Sequence, residues 1–215
     1  MDKNKLYQES KLLIDSMLSE SEPLSSLDWD LEKTAVVVVD MINGFAKAGA
    51  LYSDRVEKII TNNVKVLEAY PCDHIFLCDH HPDNAEEFKV FLPHCIEGTS
   101  EVEVVDELKK YSEKGQVINK NSTNGFLEPE FRTWLEKSDK EQFIITGCCS
   151  DLCVMHFALS LKTHFNRINK QHQIVVVENA IDTYDISAIH HPGDFMHLMS
   201  LKMMKDNGIL LRRIV

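Results

Sequence analysis

The sequence predicts an α/β fold of three layers, with a central, mostly parallel sheet of six strands and helices on both faces. Three observations carry that prediction. Short, uniformly apolar segments recur along the chain, and the first of them, Thr34–Val39, reads Thr-Ala-Val-Val-Val-Val. A strand that is apolar on both sides is buried on both sides, as parallel strands are beneath two helix layers. Segments of helical periodicity alternate with these strands. Polar and reactive residues follow the strand ends, where open α/β sheets bind ligands.

The elements follow in chain order. Asn4–Leu18 places Leu6, Leu12, Leu13 and Leu18 at helical spacing, and the Ser/Glu/Pro-bearing stretch Ser19–Ser26 breaks it. Residues 1–30 are therefore read as an N-terminal helical arm, packed on the body or on a neighbouring subunit, and 31–215 as a single domain. Thr34–Val39 is the first strand, Leu51–Tyr70 has helical periodicity, and His74–Cys78 is the second strand. Val102–Tyr111 reads as helix, Gly115–Asn119 as a short strand and Gln142–Thr146 as another, with a helix from about Leu152. Gln173–Glu178 is a fifth strand. Pro192–Asn207 is a helix closed by Gly208, and Ile209–Ile214 is the last strand.

The chain has 215 residues, enough for one sizeable core. Its formal charge of −11 argues against a nucleic-acid groove or an anionic membrane surface as the main partner. No apolar run approaches a membrane span, and Met1–Glu20 carries charges throughout, unlike a signal peptide. A cytoplasmic location is expected, and the six cysteines are expected to be thiols rather than a disulfide framework.

The chemistry concentrates at four strand ends: Asp40, Asp79, Lys120 and the turn Gly147–Cys153. The segment Gly147-Cys148-Cys149-Ser150-Asp151-Leu152-Cys153-Val154 joins a strand to a helix through small residues. A cysteine at a helix start has unpaired N–H groups and a dipole that favours a thiolate, and the same N–H groups can hold an oxyanion. Taken singly, Asp40 is a loop or capping residue, Lys120 a solvated lysine and Cys153 a core residue. Taken together, they supply the proton acceptor, the positive charge and the nucleophile of acyl transfer.

A second group is Asp79-His80-His81 with Glu87 and His94. Asp79 and His81 are two apart on an extended segment and project to one side. Carboxylate plus imidazole suits zinc, iron or manganese and not calcium; a solvent-facing His/Asp loop fits the same spacing. His190-His191 has no carboxylate at a useful spacing and reads as a surface or helix-capping element.

Four motifs in this order resemble the isochorismatase-like cysteine hydrolases, and among them the nicotinamidases, from Thr34 to Val215. Asp40-Met41-Ile42-Asn43-Gly44-Phe45 is similar to D-x-Q-x-x-F. Asp79-His80-His81-Pro82 with Pro93-His94-Cys95 is similar to D-x-H followed by P-x-H-C. Lys120 with Phe126 resembles the Lys-containing segment after the third strand, and Gly147–Val154 resembles G-x-x-T-D-x-C-V. The sequence departs at Asn43, at Ser150 for Thr, at Cys149, in a Pro-His-Cys element one residue tighter, and at Thr123, near a position often held by Tyr.

The resemblance implies a triad of Asp40, Lys120 and Cys153 and a thioester on Cys153. It implies a cis peptide at Cys148-Cys149 and an oxyanion hole from the N–H groups of Cys149 and Cys153. It places one divalent metal ion, zinc first and iron or manganese as alternatives, on Asp79, His81, His94 and Glu87, with Glu86 as the substitute for Glu87. Phe45 and Phe91 would sandwich a substrate ring. The implied activity is nicotinamide hydrolysis in NAD salvage, by a homo-oligomer acting on a small amide. A related amidase for another amide or carbamoyl compound, vinyl-ether hydrolysis, and a non-catalytic binding member are the other readings.

Overall fold

The computed structural model describes residues 1–18 and 21–215. Ser19 and Glu20, in the stretch expected to break the first helix, lie outside the described residues. Six strands form one sheet: β1 Thr34–Val39, β2 Asp73–Asp79, β3 Gln116–Lys120, β4 Gln142–Cys148, β5 Gln173–Asp182 and β6 Leu210–Arg212. Their order is β3-β2-β1-β4-β5-β6. Every neighbouring pair is parallel, so the sheet is wholly rather than mostly parallel.

The uniformly apolar strands are explained by the two faces. Val36 and Val38 join Phe76, Ile144 and Val175 in one core, while Ala35, Val37 and Val39 join Ile75, Phe143 and Val176 in the other. The side chains of β1 are entirely buried. Each such valine gains about 1.5–3 kcal/mol from leaving water, set against the entropy of ordering the chain. Helices α2 Asn43–Ala46, α3 Asp54–Lys58, α4 Ile60–Ala69 and α5 Asp106–Ser112 cover the first core. Helices α6 Pro129–Lys137, α7 Cys153–Arg167 and α8 Gly193–Asp206 cover the second.

The N-terminal helix, α1 Lys3–Met17, contains no fully buried residue; Met17 packs against the second core. The chain is tied into the body soon after. Leu24 is buried and donates its N–H to Arg213 O, and Trp29 packs edge-on to Tyr70 at 5.4 Å.

Several expected elements differ in extent. The Leu51–Tyr70 periodicity is two helices joined at Ile59, because Val56, Ile60 and Leu67 face one core on either side of the join. In Val102–Tyr111 only the part from Asp106 is α-helical, and Val102 closes a short 3₁₀ turn. Val104 instead bridges Ile42, and Val105 donates to Met41 O, so this stretch is drawn out along the segment after β1. Helix α6 is absent from the sequence reading, although Pro129 opens it and Phe131 and Leu135 bury one stripe of it. Gly208 stands at φ +80° just past α8, as the sequence predicts. Among the described residues no helix is long and apolar enough to cross a membrane.

Candidate active site

The strand order reverses between β1 and β4, and the crevice beyond their carboxyl ends is where a doubly wound sheet accepts a ligand. Asp40 is the first residue past β1, with a left-handed backbone (φ 51°) that Asp tolerates better than most residues. Its N–H donates to Leu77 O at 2.8 Å, and its Oδ1 accepts the Asp79 N–H at 2.7 Å. Asp79 ends β2 and Lys120 ends β3, directly opposite in register. Lys120 Nζ lies 2.8 Å from Asp40 Oδ2, 2.5 Å from Asp79 Oδ1 and 3.7 Å from Cys153 Sγ. All four groups are buried. Apart from this ion pair with Lys120, Asp40 Oδ2 has no hydrogen-bond partner. One oxygen of each aspartate and Cys153 Sγ fall within 4.8 Å of one another.

The electrostatics follow from this crowding. Burial and the neighbouring Asp79 raise the Asp40 carboxyl to about 6, against the pull of Lys120. Burial alone would raise Asp79 too, but Lys120 outweighs it, joined by His81 and His94 when their rings are protonated, and the carboxyl is held well below the usual carboxylate range. Burial opposes the charge on Lys120, and the two aspartates more than restore it, so the group stays an ammonium. Burial pushes the Cys153 thiol well up, with Lys120 opposing the rise without cancelling it. The lysine pulls toward a thiolate but burial outweighs it, so Cys153 acting as a nucleophile would need a base, and an oxygen of Asp40 lies within 4.8 Å of its sulfur.

The turn is shaped by its residues. Gly147 has φ +107°, and a Cβ there would stand 1.9 Å from Val39 O. Gly147→Ala is therefore expected to destabilise the fold by about 3 kcal/mol or more, read as a lowered denaturant midpoint; an unchanged midpoint would contradict this packing. The Cys148-Cys149 peptide is cis, and Cys148 Sγ donates to Asp40 O at 3.2 Å. Ser150 N–H donates to Asp182 O, and the N–H groups of Leu152 and Val154 donate to Cys149 O. Among the described residues, the N–H groups of Cys149 and Cys153 have no such acceptor.

Beside this group, Asp79, His81 and His94 each offer a ligand atom within 4.8 Å of the others. His81 Nδ1 faces Asn121 Oδ1 at 2.8 Å, and His94 Nδ1 faces Leu92 O at 2.7 Å. Both acceptors fix the hydrogen on Nδ1 and leave Nε2 bare toward Asp79. His81 Nε2 and Glu87 Oε2 are buried without hydrogen-bond partners and lie 3.7 Å apart. Unpaired buried atoms of this kind cost about 1–3 kcal/mol each, and a divalent cation between them would remove that cost. The donor set of two imidazoles and two carboxylates fits zinc, iron or manganese. Glu86 is exposed and pairs with Lys89, so Glu87 is the glutamate that faces the histidines.

Phe45 and Phe91 both line a narrow cleft of about 20 Å³ that Cys149, Cys153 and Thr123 also line. Their rings lie 5.6 and 6.4 Å from the His94 ring. A wider cleft lined by His74, Tyr111 and Trp134 lies at the amino ends of β2 and β3, away from all of these groups. The sequence reading misses Phe88, edge-on to both His81 and His94 at 5.4 and 5.7 Å, and Tyr184, a wall of the cleft. It also misplaces His191, whose Nε2 lies 2.8 Å from Asp151 Oδ2. That carboxylate comes from a distant segment, which local spacing does not reveal.

The isochorismatase domain profile matches residues 34–212. The chain is 29% identical to nicotinamidase 1 of Arabidopsis thaliana over 223 residues, covering 89% of each chain. Among solved structures it is similar to PnC1 from L. infantum in complex with nicotinate, with TM-score 0.71 and 19% identity, covering 87% of this chain and 96% of that one. It is also similar to the pyrazinamidase of Pyrococcus horikoshii in complex with zinc, with TM-score 0.69 and 22% identity, covering 85% and 99%.

Proposed function

This chain belongs to the isochorismatase domain family, and from that premise we propose that it is a metal-containing nicotinamidase, converting nicotinamide to nicotinate and ammonia. It is an amide hydrolase, a statement supported by its similarity to a nicotinamidase along most of both chains. The observation that carries the finer reading is the meeting, beside one cleft, of the Asp40–Lys120–Cys153 cluster with Asp79, His81, His94 and Glu87, among which His81 Nε2 and Glu87 Oε2 are buried without partners.

The chain's residues divide the chemistry among them. Asp40, ionised at neutral pH and close enough to neutrality to return a proton, takes the hydrogen from the Cys153 thiol. The sulfur attacks the amide carbonyl carbon, and the N–H groups of Cys149 and Cys153 receive the oxyanion. Asp40 then protonates the departing nitrogen, ammonia leaves, and a thioester remains. Water gives a proton to Asp40, attacks the thioester and releases nicotinate, restoring the thiol. Lys120 holds both aspartates and balances the negative charge as the proton moves. Phe45 and Phe91 enclose the ring. Asp79, His81, Glu87 and His94 would hold a divalent ion, zinc first, which would supply a Lewis-acid contact for the pyridine nitrogen.

Because that contact binds rather than activates, His94→Ala is expected to lower bound metal and to raise KM more than it lowers kcat. Metal analysis and steady-state ammonia release on one preparation check this; a loss confined to kcat would move the ion into the chemistry. The substrate is tested by comparing kcat/KM for nicotinamide with that for carbamoyl compounds lacking a pyridine ring. Nicotinamide is expected to be preferred by at least about 100-fold. Preference for a carbamoyl compound would favour the related-amidase reading instead.

A further inference from the structure

A polar network lies behind the nucleophile turn and takes no part in the steps above. His191 sits in the segment between β5 and α8. Its Nε2 is 2.8 Å from Asp151 Oδ2, and its Nδ1 is 3.0 Å from Tyr184 O. Its ring packs tilted on Tyr184 at 4.1 Å between centroids. Asp151 is buried in the turn, two residues before Cys153, and Tyr184 is a buried wall of the cleft. A carbonyl only accepts, so Nδ1 carries a hydrogen; Nε2 and Oδ2 then share a further proton. One imidazole thus ties the turn to the wall.

The segment that carries His191 is itself anchored. Arg55 bonds Asp182 at 2.8 Å and Asp194 at 2.6 Å, which fixes the end of β5 to the start of α8. His197 Nδ1 reaches Ser150 Oγ at 3.1 Å, and Ser150 N–H donates to Asp182 O. Two consecutive residues of the turn, Ser150 and Asp151, are therefore gripped from the same side.

We propose that His191 is a positioning residue. Through Asp151 it holds the Cys149–Cys153 turn so that the sulfur and the two free N–H groups face the cleft. The proposal rests on Cys153 being the nucleophile and not on which amide is hydrolysed. The effect expected of losing the tie is a misdirected nucleophile rather than an unfolded chain, since a shift of about 1 Å costs roughly 100-fold in rate.

The two nitrogens of the ring can be tested separately. In His191→Gln the terminal amide nitrogen stands near the place of Nε2 and keeps the bond to Asp151. In His191→Asn it stands near the place of Nδ1 and keeps only the bond to Tyr184 O. Alkylation of Cys153 by iodoacetamide, read by mass spectrometry of its peptide, is the first measurement, because it needs no substrate. H191Q is expected to react close to the wild-type rate and H191N roughly 10- to 100-fold slower, with similar melting temperatures. Ammonia release is expected to follow the same order, in kcat more than in KM. H191N reacting at the wild-type rate, or faster than H191Q, would overturn the proposal, as would a difference explained by melting temperature alone. If nicotinamide is not the substrate, no variant releases ammonia from it and the alkylation order still stands. A wild-type Cys153 that resists alkylation would overturn both this proposal and the nucleophile it serves.

Discussion

Cys153→Ala is expected to lower ammonia release from nicotinamide by at least about four orders of magnitude while leaving nicotinamide affinity nearly unchanged. The sulfur is the only protein atom in the proposed sequence that bonds to the substrate carbon. The ring is held elsewhere, by Phe45, Phe91 and the donor set around Asp79. Residual turnover is measured by ammonia release and affinity by calorimetry on the same metal-loaded protein. Near-normal turnover would remove Cys153 from the mechanism. Lost affinity with slow turnover would show that the sulfur contributes to ring binding.

Lys120→Met is expected to injure both rate and stability. The lysine side chain is fully buried between two buried carboxylates, at 2.8 and 2.5 Å. Its removal leaves two like charges facing each other without a counter-ion, which costs about 3–5 kcal/mol when one partner of a buried pair is deleted. It also removes the charge that balances Asp40 and Cys153 during proton transfer, for which a kcat loss of roughly 100- to 1000-fold is expected. Denaturant unfolding of metal-free protein separates the two effects, because a bound cation would itself neutralise Asp79. Equal unfolding midpoints for the variant and the wild type would show that Lys120 does not offset the aspartates.

The sheet was legible mainly through its most apolar strands. Four consecutive valines in β1, with every side chain of the strand buried, leave little choice but a central parallel strand. The strand ends were legible as well: Asp40 and Asp79 are polar residues that follow or end buried apolar runs, Lys120 ends the half-exposed edge strand β3, and register brings Asp79 and Lys120 opposite each other. Helix α6 was not legible, because loop-forming residues before Pro129 hide a short stripe made by Phe131 and Leu135 with Trp134 at its edge. How strongly burial opposes a thiolate at Cys153 was not legible either. A helix start and a nearby lysine argue for a thiolate, and only the burial of the whole group shows that desolvation dominates. His191 shows a further limit. Its partner is fixed by how the β5–α8 segment folds back over the turn, a long-range contact that leaves no local pattern.

The choice between Glu86 and Glu87 also needed coordinates. Adjacent acidic residues on a short 3₁₀ turn point apart: Glu86 goes outward to Lys89, and Glu87 turns inward to His81. The sequence reading named Glu87 with Glu86 as its substitute; the unpaired Oε2 gives Glu87 a physical reason.

The measurement that tests the central claim most directly is ammonia release from nicotinamide by freshly purified, reduced protein, with metal content determined on the same sample. The account predicts rapid release by protein carrying about one divalent ion per chain. Protein that carries the ion, is alkylated at Cys153 and still releases no ammonia from nicotinamide would contradict it.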